Sequence, residues 1–406
     1  MTRNQTFRIA VRKFPAFETA IAAQWAAFES EAQTGLTLEA VPMDLHFLES
    51  SLFAEGGMKN GTWDVAFVAT DWIAAMHAAG AALELPENLR TTLESGAWPG
   101  SLLRLQRIGP AILGTPYHDG PECLICRKDL FESPECRARY QALHGKPLAP
   151  PTTWKDFHQI ARFFHDPAQN LYGTVFAAYP DGHNTVYDFL LQLWTRGGDL
   201  FDPDGNLNFE TPAAHQALTF YRTILSDPTA VHPRSKTYDS VQAGQAFARG
   251  EAAMMVNWFG FATMAHTSSD SSVQNRVDIA EIPGDPSVSL NVYWILSIAA
   301  GSPHRDIAVR FLEHCLTPAM DKLTTTAGAI GCRKSTWTDS EVNAAIPFYH
   351  RMESLHTAAR EIPQRPDWPQ IATTIDRLVT AAIATSTPIE NLLKEAQQNT
   401  ESGTHS

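Results

Sequence analysis

The chain has 406 residues and a formal net charge of -13 at pH 7, with 44% hydrophobic and 18% charged residues. This is the composition of a globular protein, and the length predicts two α/β lobes of roughly 150–200 residues each. The negative charge argues against a sequence-independent nucleic-acid binder and against a protein docked on anionic lipid, since both need an excess of Lys and Arg.

The first third of the chain alternates strands with helices. The predicted strands are Phe7–Val11, Leu36–Val41 and Asp64–Ala69. The last is a nearly continuous apolar run, typical of a parallel strand buried on both faces, whereas Ile21, Trp25 and Phe28 recur at helical spacing. This order predicts βαβ units, in which ligands sit at the carboxyl ends of the strands. That geometry selects residues just past the strands, namely Arg12, Asp44, Asp71 and Trp72.

Hydroxyl caps mark several later helix starts. Thr153 is placed to cap a helix, and Thr211 and Ser302 each stand before a first-turn proline. The Asp-Gly pair within Asp202–Asn206 predicts a hairpin turn rather than a calcium loop, because no Glu follows at the twelfth position. The apolar run Trp294–Ala300 is long enough for a strand, and no run reaches the ~20 residues that span a bilayer.

Catalytic motifs are absent from the sequence. There is no G-x-S-x-G elbow, H-E-x-x-H, Walker A loop or G-x-G-x-x-G after a strand, and the 15 histidines are scattered. Carboxylate pairs are so plentiful in an acidic chain that counting does not exclude glycosidase chemistry. We expect a protein that is not an enzyme and that uses no metal and no cofactor.

Three of the five cysteines lie close together, at Cys123, Cys126 and Cys136. A structural zinc site needs four ligands, and no second cluster of Cys or His follows at the required spacing. One disulfide within this group is an alternative if the protein is exported. Buried free thiols are the favoured interpretation.

Aromatic residues lie at or beside predicted strand ends, with Asp, Asn, Arg or His nearby. A sugar presents an apolar C–H face and a rim of hydroxyls, so its site needs flat rings and planar polar side chains. The alternative for any single ring is that it fills the core near the end of the sheet, but we expect at least three to face a ligand cleft. The set comprises Phe14, Trp72, Tyr117, Tyr179, Trp258, Phe259, Tyr293, Trp294 and Trp368.

Six motifs follow one another along nearly the whole chain. They are W-D-V-A-F-V-A-T-D-W at Trp63–Trp72, G-T-P-Y at Gly114–Tyr117 with R-K-D-L-F at Arg127–Phe131, P-T-T-W-K-D-F at Pro151–Phe157, G-G-D-L-F at Gly197–Phe201, F-A-R-G-E-A-A-M at Phe247–Met254, and W-I-L-S-I at Trp294–Ile298. In this order they resemble the extracellular solute-binding proteins of ABC transporters, in the carbohydrate group that includes maltose-binding protein.

The resemblance implies an α/β, periplasmic-binding-protein-like fold with two discontinuous lobes, joined by a hinge, and a ligand cleft between them. Residues 1–113 and 283–318 would form lobe 1, residues 114–282 and 319–398 lobe 2, and residues 399–406 a flexible tail. The chain is expected to cross between the lobes near Gly114–Pro116, Glu281–Pro283 and Thr317–Thr325.

In this family the aromatic and polar residues that follow the strands line the cleft. The resemblance gives this ligand-binding role to Asp71, Trp72, Tyr117, Tyr179, Asn257, Trp258, Trp294 and Arg333. Arg12 and Asp44 are added on strand-end geometry alone. Val292 and Tyr293 stand where the family has glycines, which implies a ligand shaped differently from common sugars.

The function that the resemblance implies is the substrate-binding component of an ABC importer. It would capture a carbohydrate-like solute reversibly by hinge closure and pass it to the transporter's membrane subunits, as a monomer in the periplasm or outside the cell. A sensor that works with a receptor or regulator and a glycan-acting enzyme are the alternatives. No charged-then-apolar leader precedes Phe7, so we expect an export signal that was removed or none, and a cytoplasmic location stays open.

Overall fold

The computed structural model describes residues 5–403 of the chain. Its strands are β1 Thr6–Arg12, β2 Thr37–Met43, β3 Val65–Ala69, β4 Arg107–Ile108, β5 Ala111–Ile112, β6 Thr115–His118, β7 Glu122–Arg127, β8 Tyr172–Thr174, β9 Ala252–Trp258, β10 Val277–Ala280, β11 Ser289–Asn291, β12 Trp294–Ile298 and β13 Ala359–Glu361.

Helices separate many of these strands along the chain, and the last two helices follow the final strand. They are α1 Pro15–Ala32, α2 Leu45–Glu49, α3 Ile73–Ala78, α4 Glu87–Leu93, α5 Gly100–Leu105, α6 Lys128–Glu132, α7 Pro134–His144, α8 Trp154–Phe164, α9 Asn184–Trp194, α10 Pro212–Leu225, α11 Ser240–Ala248, α12 Phe259–Thr267, α13 Arg305–Cys315, α14 Pro318–Thr326, α15 Lys334–Trp337, α16 Ser340–Ala345, α17 Met352–Ala358, α18 Trp368–Ala384 and α19 Ile389–Gly403.

The chain packs into two compact units, each built from separate segments. Within the described residues, unit 1 comprises residues 5–121, 291–356 and 361–368, and unit 2 comprises residues 122–290, 357–360 and 369–403. The predicted fold class, two α/β units that are each discontinuous in sequence, is confirmed. The lobe boundaries expected from the sequence stay a prediction. Of the predicted tail, residues 399–403 belong to α19, and residues 404–406 lie outside the described residues.

Unit 1 is organised around a five-stranded sheet in the order β2-β1-β3-β12-β6. β1 runs parallel to both β2 and β3, as the sequence predicted, while β12 runs antiparallel to β3 and β6. All five residues of β3 are buried, which explains its continuous apolar sequence. α1 begins at Pro15, in the first-turn position that proline favours, and its Trp25 ring stacks on Phe7 of β1 with centroids 4.7 Å apart.

Unit 2 has a four-stranded sheet in the order β10-β7-β9-β8. β8 runs parallel to β9, and the other neighbours are antiparallel. Gly173 of β8 lies so close to α8 that a Cβ atom there would be 1.9 Å from the Ala161 carbonyl oxygen. Only glycine fits this approach, so one residue sets how closely the helix packs on the strand.

The predicted helix caps differ in outcome. Thr153 accepts a hydrogen bond from the Asp156 N–H, and Thr211 accepts one from Ala214, so both caps are confirmed. The prediction for Ser302 is wrong because α13 begins at Arg305. The Ser302 hydroxyl instead donates to the buried Asp64 carboxylate at 2.6 Å. The Asp-Gly hairpin is confirmed by an antiparallel bridge between Phe201 and Leu207.

None of the five cysteines, all of which lie in the described part of the chain, forms a disulfide; Cys123 and Cys126 are buried in β7, and Cys136 is half-buried. The interpretation as buried thiols is confirmed for Cys123 and Cys126 but not for Cys136, and the disulfide alternative is not observed. Within residues 5–403, none of the helices is both long and apolar enough to cross a membrane.

Candidate functional site

The predicted site residues of unit 1 converge on one edge of its sheet. Because β1 and β3 are parallel, their carboxyl ends share this edge, and antiparallel β12 begins there. Trp294, the first residue of β12, lies opposite Ala69 of β3 on one side and His118 of β6 on the other. The sheet thus brings the segments that follow β1 and β3 next to the start of β12.

Two tryptophans form the centre of this edge. Trp72 and Trp294 pack edge to face, with ring centroids 5.9 Å apart and planes at 89°. Phe53 contacts Trp72 in the same way at 5.9 Å, and Phe17 contacts Trp294 at 6.2 Å. Trp72 is buried, whereas Trp294 is half-buried. The Trp294 ring is therefore packed against Trp72 and Phe17 and is still partly exposed to solvent.

A short turn fixes the position of these rings. Residues Thr70–Trp72 form a single 3₁₀ turn directly after β3. The Thr70 N–H donates to the Tyr293 carbonyl at 3.0 Å, and the Tyr293 N–H donates to the Thr70 hydroxyl at 3.2 Å. These two bonds couple the turn that carries Asp71 and Trp72 to the residue before Trp294.

The polar side chains at this edge differ in accessibility. Arg12 and Asp71 are both buried at the ends of their strands. Asp44 is exposed, and its carboxylate accepts the Phe47 N–H at 3.0 Å as the N-cap of α2. Asp44 therefore has a structural role in the helix start, and its predicted role in ligand binding stays a prediction.

Tyr117 lies in the interior of unit 1. Its ring contacts Phe67 and Phe17, and its hydroxyl donates to the Gln24 side chain at 2.8 Å. Both the ring and the hydroxyl of Tyr117 are thus engaged inside the core, and its predicted role in ligand binding stays a prediction. The neighbouring His118 accepts the Ile330 N–H on Nδ1 at 2.9 Å, and burial lowers the pKa of His118 to about 3, so its ring is neutral.

Arg333 contacts a third tryptophan of unit 1, Trp98. Its guanidinium lies over the Trp98 ring at 4.4 Å and donates to the Leu316 carbonyl at 2.6 Å. The loop that carries it is held by the buried Asp321, which accepts the N–H groups of Cys332 and Arg333 and the Thr336 hydroxyl. Burial raises the pKa of Asp321, and these three donors oppose that effect.

In unit 2 the predicted residues Asn257 and Trp258 end strand β9. The Trp258 ring packs edge to face against Tyr187 of α9, with centroids 5.6 Å apart and planes at 86°. Asn257 is buried and donates to the Ser240 carbonyl at 3.1 Å, which ties the strand end to the start of α11. Trp258 is half-buried, like Trp294 in unit 1.

The loop before α9 carries Tyr179, which is 50% exposed. Two residues further on, the Asp181 carboxylate accepts the N–H groups of His183 and Asn184, each at 2.9 Å. These bonds satisfy backbone donors at the start of α9. His183 in turn contacts Tyr187, the ring that supports Trp258. The loop with Tyr179 is thereby connected to the end of β9 through α9.

A buried and a half-buried carboxyl group, Glu122 and Asp188, lie beside this part of unit 2. Glu122 begins β7 directly opposite Trp258, and burial together with the charge of Asp188 raises the pKa of Glu122 well above its usual value. Loss of hydration raises the pKa of Asp188 to about 7, although Tyr221 donates a hydrogen bond to it at 2.5 Å. This edge of unit 2 therefore offers carboxyl groups that hold protons near neutral pH.

Sequence reasoning missed several of these residues. Phe17 and Phe53 support the tryptophans of unit 1, and Glu122 and Tyr187 lie next to Trp258. Glu122 and Trp258 are 136 positions apart and meet only because β7 and β9 are antiparallel. No local pattern carries that information, whereas the apolar period of α9 could have placed Tyr187 on its inner face.

Among the residues that the structure describes, no group of three or more His, Cys, Asp or Glu side chains is placed to hold a metal ion. The polar groups at both sheet edges are hydrogen-bond donors and acceptors beside aromatic rings. This arrangement suits reversible binding of a hydroxyl-rich molecule.

Comparison with known proteins agrees with this geometry. The family model described as bacterial extracellular solute-binding protein matches residues 19–322, about three quarters of the chain. A probable ABC transporter-binding protein of Deinococcus radiodurans is 25% identical over 64% of this chain, and the chain spans 60% of the length of that relative. A mannitol-binding protein of Pseudomonas aeruginosa is 22% identical, with 91% of this chain and 87% of the relative covered.

Solved structures of similar fold cover nearly the whole chain. Maltose-bound T. maritima MalE3 has a TM-score of 0.85 at 21% identity, with 98% of this chain and 99% of that chain covered. An ABC transporter solute-binding protein of Agrobacterium radiobacter in complex with ribitol has a TM-score of 0.85 at 23% identity, with 98% of each chain covered. At this identity the likeness establishes the fold, and the fold predicted from the sequence is confirmed.

Proposed function

The chain belongs to the bacterial extracellular solute-binding proteins, and on that premise we propose that it captures a sugar or polyol for an ABC importer. Ligand binding would take place without bond making or breaking, and the protein would deliver the solute to the transporter's membrane subunits. We place the ligand-binding residues at the two sheet edges, with Trp294 and Trp72 in unit 1 and Trp258 and Asn257 in unit 2.

The distribution of tryptophans carries this proposal. Eight of the ten tryptophans, all of which lie within the described residues, are buried. The two that are half-buried, Trp258 and Trp294, both end or begin a strand at a sheet edge. Each is supported edge to face by a buried ring, Tyr187 or Trp72 respectively. A supported, partly exposed indole is the surface that covers the C–H face of a sugar or an extended polyol.

The neighbouring polar groups favour a ligand rich in hydroxyls. Arg12 ends β1 and Asp71 precedes Trp72 in unit 1, and Glu122 lies opposite Trp258 in unit 2, so both donors and acceptors are present at these sheet edges. Hydroxyls accept and donate, and therefore match a site of mixed polarity without requiring a net charge on the ligand. The relatives whose names specify a ligand include a mannitol-binding protein and structures with ribitol and maltose, which supports the same class.

The family is described as extracellular, and we propose that this chain acts outside the cytoplasmic membrane as a monomer. Cell fractionation of the native host would test the location. Size-exclusion chromatography with light scattering, with and without ligand, would test the oligomeric state. Recovery in the cytoplasm or as a stable dimer would contradict these two parts of the proposal.

A ligand panel in thermal-shift format tests the function. We expect mannitol, ribitol, tagatose or maltose to raise the melting temperature, since ligand at ~100-fold over its Kd stabilises a protein by about 2.7 kcal/mol. Amino acids and inorganic phosphate serve as controls for other solute classes. Calorimetry of each positive compound should give saturable binding, and chromatography after prolonged incubation should recover the ligand unchanged.

The possible outcomes separate the parts of this proposal. If no sugar or polyol shifts melting but an amino acid does, the protein is a solute-binding protein of another ligand class. If a bound sugar is consumed and the product accumulates, the protein is an enzyme and the transport function is wrong.

A further inference from the structure

A groove of about 1020 Å³ lies among helices α7, α8 and α10 of unit 2, away from the residues assigned above. Seven of its fifteen lining residues are Arg, Lys or His, and none of the fifteen is acidic. The excess of basic residues in the groove contrasts with the whole chain, in which 44 acidic residues outnumber 31 Lys and Arg. A positive surface on a negative protein indicates an anionic partner.

Three basic residues of this groove, Arg139, Lys155 and Arg196, are not neutralised by a carboxylate of the described chain. The Arg139 guanidinium lies over the Phe163 ring at 4.6 Å. Arg196 lies over Phe220 at 5.3 Å and donates to the backbone and side chain of Gln192. Within the described part of the chain, neither these two nor Lys155 forms an ion pair with a carboxylate. Burial lowers the pKa of Arg196 to about 10, so it remains charged at neutral pH.

Two other basic residues of the groove are already neutralised. His158 and Arg162 of α8 both bind the Asp227 carboxylate, at 2.7 and 2.5 Å. Asp227 is buried behind them, and hydrogen bonds from Thr229, His158 and Arg162 hold its pKa below the usual range despite that burial. The unpaired positive charge is therefore concentrated on Arg139, Lys155 and Arg196.

The groove also presents apolar surface. Trp154, Phe163 and Phe220 supply aromatic rings, and Leu143 on the rim is 66% exposed. Among the described residues, Leu143 is one of three large hydrophobic side chains that are exposed. An exposed leucine beside cations matches a partner that has both apolar and acidic side chains.

We propose that this basic-aromatic groove binds an acidic, amphipathic helical segment of a protein partner. Carboxylates of the segment would pair with Arg139, Lys155 and Arg196, and an apolar side chain would pack against Leu143 and the rings. A small anion fits less well, since small-ligand sites cover most of their ligand, whereas Arg139, Leu143 and Lys155 are exposed. Nucleic acid and anionic lipid fit less well because the net charge of -13 repels extended polyanions.

A designed peptide pair tests this proposal directly. The probe is a fluorescein-labelled amphipathic peptide of about four helical turns, with Glu on one face and Leu on the other. Its twin has Lys in place of every Glu. By fluorescence anisotropy we expect the Glu peptide to bind and the Lys twin not to bind. The affinity for the Glu peptide should fall severalfold as salt is raised from about 0.05 to 0.3 M.

Matched variants locate the binding. We expect K155E and R139E each to weaken binding by about fivefold or more, since they reverse a charge at the contact. The control K394E makes the same charge change on exposed α19 in unit 2 and should change binding less than about twofold. L143S should weaken binding equally at low and high salt. Unchanged melting temperatures would show that each variant is folded.

Each contrary outcome overturns the proposal. Equal binding of the Lys twin, or an equal effect of K394E, would mean that the groove is not the binding surface. Full competition by inorganic phosphate at the peptide's concentration would identify a small-anion site. Binding to phosphatidylglycerol vesicles without binding to the peptide would identify a membrane surface. The sugar-induced melting shift, measured on the same variants, should be unchanged and so tests the proposed function separately.

Discussion

The indole rings of Trp72 and Trp294 meet edge to face, with centroids 5.9 Å apart and planes at 89°. One ring follows β3 and the other begins β12, so the contact depends on the antiparallel pairing of these strands. Trp72 is buried and Trp294 is half-buried, which divides the pair into a supporting ring and a ring that solvent reaches. The two rings should therefore respond differently to substitution.

Trp294→Ala and Trp258→Ala should each weaken binding of the ligand found in the thermal-shift panel by about 1–3 kcal/mol, since each removes an indole that we propose covers the ligand. Isothermal calorimetry would measure the change. The matched control is Trp25→Phe, which alters a buried indole stacked on Phe7 and should change stability but not affinity. Unchanged affinity in both alanine variants would show that neither ring contacts the ligand.

Trp72→Ala should lower stability as well as affinity. It removes a buried ring that contacts Phe53 and Trp294, and large-to-small changes of this kind cost about 3–5 kcal/mol. Urea unfolding would measure the loss. The same loss in Trp294→Ala would contradict the division between a supporting ring and a ligand-facing ring, because a half-buried side chain has less buried surface to lose.

The pH dependence of stability should change when Asp188 is replaced. Its pKa is raised to about 7 by loss of hydration, whereas an unfolded aspartate titrates near 3.9. Between about pH 4 and pH 7 the native state holds a proton that the unfolded state has released, so this group's contribution to stability falls as pH rises. Asp188→Asn should remove that slope, at most about 1.4 kcal/mol per pH unit for one group.

Urea unfolding of the wild type and of Asp188→Asn, at intervals from pH 4.5 to 8, is the appropriate measurement. The difference between the two proteins cancels the groups that do not interact with Asp188, and it reports Asp188 together with Glu122, whose pKa the Asp188 charge raises. Tyr221→Phe is the informative companion, since the Tyr221 hydrogen bond lowers the pKa of Asp188. Removing this hydrogen bond raises the native pKa of Asp188 and should extend the sloping region to higher pH. Parallel stability profiles for the wild type and Asp188→Asn would contradict the raised pKa.

Much of unit 1 could be predicted from the sequence because its strands have strong local signals. The apolar run before Thr70 is buried on both faces, and the predicted strand ends agree with β1, β2 and β3 within two residues. The start of α13 was predicted wrongly because the Ser302 hydroxyl has a stronger partner, the buried Asp64, which is 238 positions away. A local capping pattern contains no information about such a distant acceptor.

The site was harder to predict than the fold for the same reason. Tyr117 and Trp294 were selected by one criterion, an aromatic residue at a strand end. The hydroxyl of Tyr117 reaches Gln24 of α1 in the core, whereas Trp294 stays half-buried at the sheet edge. Which face a ring takes depends on packing against a helix 93 positions away, and the sequence pattern does not encode it.

Asp321→Ala should destabilise the protein by about 2–5 kcal/mol. The carboxylate accepts the N–H groups of Cys332 and Arg333 and the Thr336 hydroxyl, and its removal leaves two buried donors and one half-buried donor without this acceptor. The control Asp306→Ala removes an exposed carboxylate from the first turn of α13 and should cost less than about 1 kcal/mol. Equal losses in urea unfolding would show that the Asp321 bonds contribute little.

Helix α8 approaches strand β8 closely at Gly173, where the backbone of Ala161 leaves no room for a side chain. A Cβ atom on Gly173 would lie 1.9 Å from the carbonyl oxygen, 2.2 Å from the carbonyl carbon and 2.3 Å from the Cα of Ala161. All three are backbone atoms, so no rotamer change relieves the clash, and Gly173→Ala should cost about 2–4 kcal/mol.

The matched control for Gly173→Ala is Gly100→Ala, at the first residue of α5. There the nearest atom to a new Cβ is the Arg104 Nη1 at 3.8 Å, an ordinary contact. Alanine at this position reduces the entropy of the unfolded chain and should raise stability by up to about 1 kcal/mol. Urea unfolding of both variants should thus give changes of opposite sign. A loss of similar size in both would mean that glycine flexibility, rather than the distance between Gly173 and Ala161, determines the effect.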